Sequence, residues 1–105
     1  MPFGAFGNWN EVMRVYDEIL IIDPQNTLVN YRLGLIYFER SDFKKAYQYV
    51  EKVVNLYPFD YDSVILFALI NLKMSDFGKA EILFNKSLLI SPGDESALAG
   101  LKLIQ

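Results

Sequence analysis

The chain repeats itself every 34 residues, and that beat limits what it can fold into more than any other property. Pro24, Pro58 and Pro92 lie 58 − 24 = 34 and 92 − 58 = 34 residues apart. The decapeptides SDFKKAYQYV, from Ser41, and SDFGKAEILF, from Ser75, share that offset. A fixed period of this length marks a supersecondary unit stacked on copies of itself. A catalytic motif used twice would not oblige the rest of the chain to keep the same register.

The rest of the chain does keep it. Asn26, Asp60 and Asp94 fall two residues after each proline, where a side-chain oxygen can accept from the free N–H groups of a starting helix. Asn8, Asp42 and Asp76 form a second set, each followed by an aromatic residue, Trp9, Phe43 or Phe77. Each period therefore starts two helices, and the proline, which cannot continue the hydrogen-bond ladder, marks the end of the second. Inside the second helix the aligned sets Val12, Ala46, Ala80; Tyr16, Val50, Phe84; and Ile19, Val53, Ser87 are spaced by three and four. Such spacing gives one apolar stripe on one helix face, interrupted only by Ser87. In the first helix Leu33, Phe67 and Leu101 align, and the small residues Gly34 and Ala68 stand against Ala46 and Ala80 of the following helix. Small residues at that position let two helix axes approach closely, so each unit reads as a helical hairpin. Six helices are predicted, at about 8–23, 27–40, 43–57, 61–74, 77–91 and 95–105.

The segments Asn30-x-x-Leu33-Gly34-x-x-Tyr37, Ala46-x-x-x-Val50 and Pro58 resemble the tetratricopeptide repeat pattern. Val64-x-x-Phe67-Ala68-x-x-Asn71, Ala80-x-x-x-Phe84 and Pro92 resemble it a second time. Asn30 and Val64 replace the usual tryptophan, Val50 the usual phenylalanine, and Asn71 the usual tyrosine. The resemblance covers about residues 8–105 and implies an all-α, right-handed superhelical array of antiparallel helix pairs. The expected organisation is an irregular segment 1–7, a partial repeat 8–26, repeats 27–60 and 61–94, and a terminal helix 95–105. Pro2, Gly4 and Gly7 leave too little sequence for the first unit's opening helix. Lys102 occupies the slot that Gly34 and Ala68 keep small, as suits a terminal helix whose outer side meets water.

In this family the opening helices line a concave groove that holds extended peptides or helices. Carried over residue by residue, that face comprises Leu28, Tyr31, Leu35 and Phe38, then Ile65, Leu69 and Leu72, then Ala99 and Leu103. The implied partner is a protein or peptide segment. Some members clamp a terminal carboxylate with Lys, Asn and Arg from successive opening helices. Here Arg32 and Lys73 are the only cations on the first two such helices apart from Arg40 at an end, and leucine and isoleucine fill the neighbouring slots. No carboxylate clamp is expected, and an apolar groove favours an amphipathic helix or hydrophobic segment. Val12, Tyr16 and Ile19 lack the cover an earlier helix would give. A homo-oligomer, or docking onto another part of a larger chain through these residues, is the alternative role.

Other chemistry is narrowed by composition. Without cysteine or histidine there are no thiolate or imidazole metal sites and no Ser-His or Cys-His nucleophile pair. No catalytic residue, metal or cofactor is expected. Asp60 with Asp62, and Asp94 with Glu95, flank helix starts, where capping and the helix macrodipole account for them. A net charge of −3 is the wrong sign for nucleic acid or an anionic membrane surface. Tyr31, Tyr37, Tyr47, Tyr49, Tyr57 and Tyr61 fall at several helical phases instead of forming a base-stacking platform. Lys44, Lys45, Lys52, Lys79 and Lys86, interspersed with Glu51 and Glu81, read as a solvated outer face. The longest apolar run, Val64 to Ile70, is too short to cross a membrane, so no insertion is expected. Absence of cysteine favours the cytoplasm but fits a disulfide-free exported protein as well, so the compartment stays open.

Overall fold

A computed structural model describes residues 9–105, which form six α-helices joined by short turns; among these residues there is no strand. The helices are α1 (Trp9–Ile22), α2 (Thr27–Glu39), α3 (Phe43–Leu56), α4 (Tyr61–Lys73), α5 (Phe77–Ile90) and α6 (Glu95–Ile104). Segment 1–7 and the Asn8 cap lie outside the described residues. Each helix packs on its sequence neighbour, and α4 also lies beside both α2 and α6. The result is an elongated stack measuring 41 × 26 × 22 Å.

Two kinds of turn alternate along this stack. After α2, Ser41 adopts φ 61°, its N–H donates to the Phe38 carbonyl, and the Asp42 N–H donates to the Tyr37 carbonyl. These paired bonds close the helix end in the Schellman pattern. Ser75 (φ 63°) does the same after α4, with bonds from Ser75 to Leu72 and from Asp76 to Asn71. Asp42 and Asp76 thus act twice. Their backbone N–H groups finish one helix, while their carboxylates accept from the N–H groups of Lys45 and Lys79 to start the next.

At the other edge, each proline is the second residue of a β-turn. Asn26, Asp60 and Asp94 donate through N–H to the carbonyls of Asp23, Tyr57 and Ser91, three residues back. Pro92 is followed by Gly93 at φ 81°, the type II arrangement. Gln25 and Phe59 keep negative φ in the equivalent place, as a type I turn requires. The ring therefore shapes the turn as well as stopping the helix. Asn26, Asp60 and Asp94 then cap through their side chains, and all five described caps have lengths between 2.9 and 3.2 Å.

Burial follows the predicted stripe. Ala46, Val50, Val53 and Val54 of α3 are buried, and so are Ala80, Leu83, Phe84 and Ser87 of α5. Ser87, the one polar residue in the stripe, donates its hydroxyl to the Leu83 carbonyl at 3.0 Å. Asn30, in the slot where tryptophan is usual, is buried and donates to the carbonyls of Pro24 (3.1 Å) and Asn26 (2.9 Å). Its amide therefore ties α2 to the preceding turn by hydrogen bonds instead of ring packing.

Two glycines set the closest approaches. A Cβ at Gly34 would overlap the Val50 side chain, with the Ala46 carbonyl also in contact. At Gly100 it would overlap the ring of Phe84, which is fully buried. Gly34 keeps the close approach that the sequence suggested, though against Val50 as well as the Ala46 backbone. Lys102 is exposed, and Gly100 provides the close contact on α6.

Replacing Ser41 or Ser75 by glycine removes the left-handed strain and should raise unfolding free energy by roughly 0.5–1 kcal/mol each, read from urea midpoints. Gly34→Ala and Gly100→Ala should instead lower it by about 1–3 kcal/mol through overpacking, with far-ultraviolet circular dichroism unchanged at 20 °C.

Candidate partner-binding face

The nine residues expected to meet a partner all lie on α2, α4 and α6, the helices that sit side by side. Six of them, Tyr31, Leu35, Phe38, Ile65, Leu69 and Leu72, are half-buried, resting on the core while part of each side chain meets solvent. Leu28, Ala99 and Leu103 are exposed. None is sealed inside the molecule.

Carboxylates mark one margin of this face. Tyr31 has its hydroxyl pushed above the ordinary phenol value, first by burial and then by the nearby charges of Asp62 and Asp60. Asp60 is committed to its cap, accepting from both the N–H and the hydroxyl of Ser63. Asp94 caps α6 and accepts from the Tyr61 hydroxyl at 2.7 Å, a bond that joins the starts of α4 and α6. That bond is the first cause of the raised Tyr61 hydroxyl. These partners account for both aspartates as structural groups. Among the described residues no cluster of carboxylates has the arrangement to hold a metal ion.

The alternative surface on α1 differs from expectation. Val12 is buried, on a helix that packs against α2, and Tyr16 and Ile19 are half-buried. Val15, Ile21 and Ile22 are the exposed apolar residues of that helix. Arg14 is paired with Glu11 and Glu18 on its solvent side.

Four of the five lysines on the outer helices stand over aromatic rings. Lys45 lies 5.2 Å from the Tyr37 centroid, Lys52 5.9 Å from Tyr49, Lys79 4.8 Å from Tyr47 and Lys86 4.7 Å from Phe59. Lys79 also donates to the Tyr47 hydroxyl, which holds its ammonium above the ordinary lysine value. These contacts cover ring faces with charge, a role composition alone does not reveal.

A family model described as "Tetratricopeptide repeat" matches residues 28–60. That segment is similar to one tetratricopeptide repeat. Solved tetratricopeptide domains extend the likeness to nearly the whole chain. The first such domain of Spaghetti (RPAP3), bound to the HSP90 peptide SRMEEVD, superposes with a TM-score of 0.85 at 17% identity, covering 98% of this chain and 82% of that one. The second domain of human RPAP3, in complex with the HSP70 peptide SGPTIEEVD, gives 0.82 at 17% identity over 98% and 86%. The Arabidopsis OM64 domain gives 0.78 at 17% over 91% and 79%. No curated protein matches the chain in sequence. The fold is thus the tetratricopeptide-like array of antiparallel helix pairs that the resemblance implies.

In the folded state Tyr31 should ionise above pH 10, the ordinary value, when its ring resonances are followed by nuclear magnetic resonance. Asp62→Asn should move the midpoint down without returning it to the ordinary value, because burial is the larger cause. The neutral phenol is the favoured form in the fold, so its contribution to stability is complete below pH 10 and is lost as pH rises through the raised midpoint.

Proposed function

We propose that the chain is a non-enzymatic protein-interaction module whose α2–α4–α6 face is a groove for an apolar segment of a partner protein. The observation that carries this reading is the partial exposure of large aliphatic side chains on two adjacent helices: Leu35 of α2 and Ile65, Leu69 and Leu72 of α4 are packed from below and open above. Such a surface gains when a second apolar face covers it, each large side chain contributing about 1.5–3 kcal/mol before ordering costs.

The likeness to the two RPAP3 domains supports a peptide as partner, since both are in complex with peptides. Those peptides end in Glu-Glu-Val-Asp. Holding such a terminus takes several converging cations. Here leucine, isoleucine and tyrosine occupy the corresponding opening-helix slots, and Asp62 adds negative charge at the margin. The preferred ligand is therefore an amphipathic helix or apolar stretch with no requirement for a free terminal carboxylate.

Selection from a random peptide display library should enrich sequences with large apolar residues at i, i+3 or i+4, and i+7. Leu35→Glu and Leu69→Glu should each weaken the selected peptides at least about tenfold while leaving thermal unfolding cooperative. Binding of SRMEEVD in preference to the selected peptides, or selected binding indifferent to both substitutions, would remove the reading.

A further inference from the structure

Helix α5 is apolar on both of its sides. Ala80, Leu83, Phe84 and Ser87 point into the stack, while Ile82 and Leu89, seven residues apart on the opposite side, are 68% and 78% exposed. A helix packed along one stripe needs no second one. The repeat itself supplies the comparison. One period earlier the same two slots hold Gln48 and Asn55 on α3, and on α1 they hold Arg14 and Ile21, so neither equivalent helix carries the double apolar step. Packing the array does not require Ile82 and Leu89 to be apolar.

Their surroundings extend the surface. Ile82, Asn85, Lys86, Leu88 and Leu89 line a shallow hollow. Phe59 joins it from the turn before α4: it is 66% exposed and the Lys86 ammonium stands over its ring. Exposed parts of Phe59, Ile82 and Leu89 amount to on the order of 400 Å² of apolar surface, about half of what one partner buries in a standard protein interface. The flanking polar residues Glu81 and Lys86 supply the rim such an interface needs.

We propose that this face joins two copies of the chain, packed parallel along α5. Ile82 and Leu89 take one core position of a short two-stranded heptad pattern, and Gly78 and Asn85 take the other. Open space around Gly78 allows the second helix to come close. Asn85, both donor and acceptor, pairs with its own counterpart across the two-fold axis and fixes the register. In this register Glu81 of one copy meets Lys86 of the other, five residues on, and symmetry makes the pair twice. Among the described residues neither is in an ion pair within its own chain. An antiparallel arrangement would set like charges opposite one another, and this is why a parallel pair is favoured. The contact lies off the α2–α4–α6 face and leaves it accessible in both copies.

Sedimentation equilibrium of the chain at up to about 100 µM should give the mass of two copies, a range that captures micromolar association. The double variant Ile82→Gln, Leu89→Asn, which copies the residues of α3, should keep helix content and unfolding midpoint. It should also weaken association at least about a hundredfold. Glu81→Lys and Lys86→Glu should each weaken the dimer, and combining them should restore it. Because the chain has no cysteine, Gly78→Cys reports the direction: a parallel pair oxidises to an inter-chain disulfide, whereas antiparallel packing about Asn85 leaves the sulfurs roughly 20 Å apart. A single-chain mass throughout, or a dimer that survives the double variant, overturns the proposal. A dimer that is lost in the double variant but never crosslinks through Gly78→Cys overturns the parallel register.

Discussion

The array depends on one hydrogen bond made five times over: an Asn or Asp oxygen at the mouth of a helix accepting the N–H three residues on. Asn26, Asp42, Asp60, Asp76 and Asp94 each make it. Each such bond is worth about 1 kcal/mol, but its geometric effect is larger than its energy. It fixes where a helix begins, and therefore which residues of the 3.6-residue wheel face inward. Had Asp76 failed to cap and α5 begun a residue later, the phase of Ala80, Leu83 and Phe84 against α4 would be set by packing alone. The same residues also close the preceding turn through their backbone, so one position governs the exit of one helix and the entry of the next.

Most of the architecture was legible because its determinants are local and repeated. Period, caps, apolar stripe and the small residue at Gly34 can each be read within a window of a few residues, and repetition turns weak signals into a strong one. What escaped was either conformational or long-range. Ser41 and Ser75 carry no glycine to announce a left-handed turn, since the two bonds of the helix end and the following cap over-determine that backbone. Gly100 meets Phe84 of α5, a fit that depends on the angle at which α6 returns. Val12 reads as uncovered when the neighbouring unit is incomplete, yet it is buried. Reading the aligned columns outward as well as inward would have found one more feature: Arg14, Gln48 and Ile82 share a slot, and the last differs in kind.

Fold alone does not assign a task, since tetratricopeptide arrays share a backbone and differ in the side chains they present. Here the presented side chains divide into two regions of different make-up. On α2 and α4 most are large and half-sunk in the core, a surface prepared by the packing beneath it, while Leu28, Ala99 and Leu103 stand exposed. On α5 they project fully, on a helix whose inward side is already satisfied. Lysines border both regions: their ammonium groups stand over the rings of Tyr37, Tyr47, Tyr49 and Phe59, and Phe59 stays 66% exposed all the same.

The contact pattern also gives the stack a direction. The contiguous core runs from α3 to α6 with α4 at its centre, while α1 is held, among the described residues, only by α2. In a structure built of nearest-neighbour contacts, opening starts where a unit has one neighbour and little buried surface. Amide protons of α1 should therefore exchange with solvent ahead of those of α4, so the array loosens from its first described helix inward, like a stack of plates lifted from the lighter end.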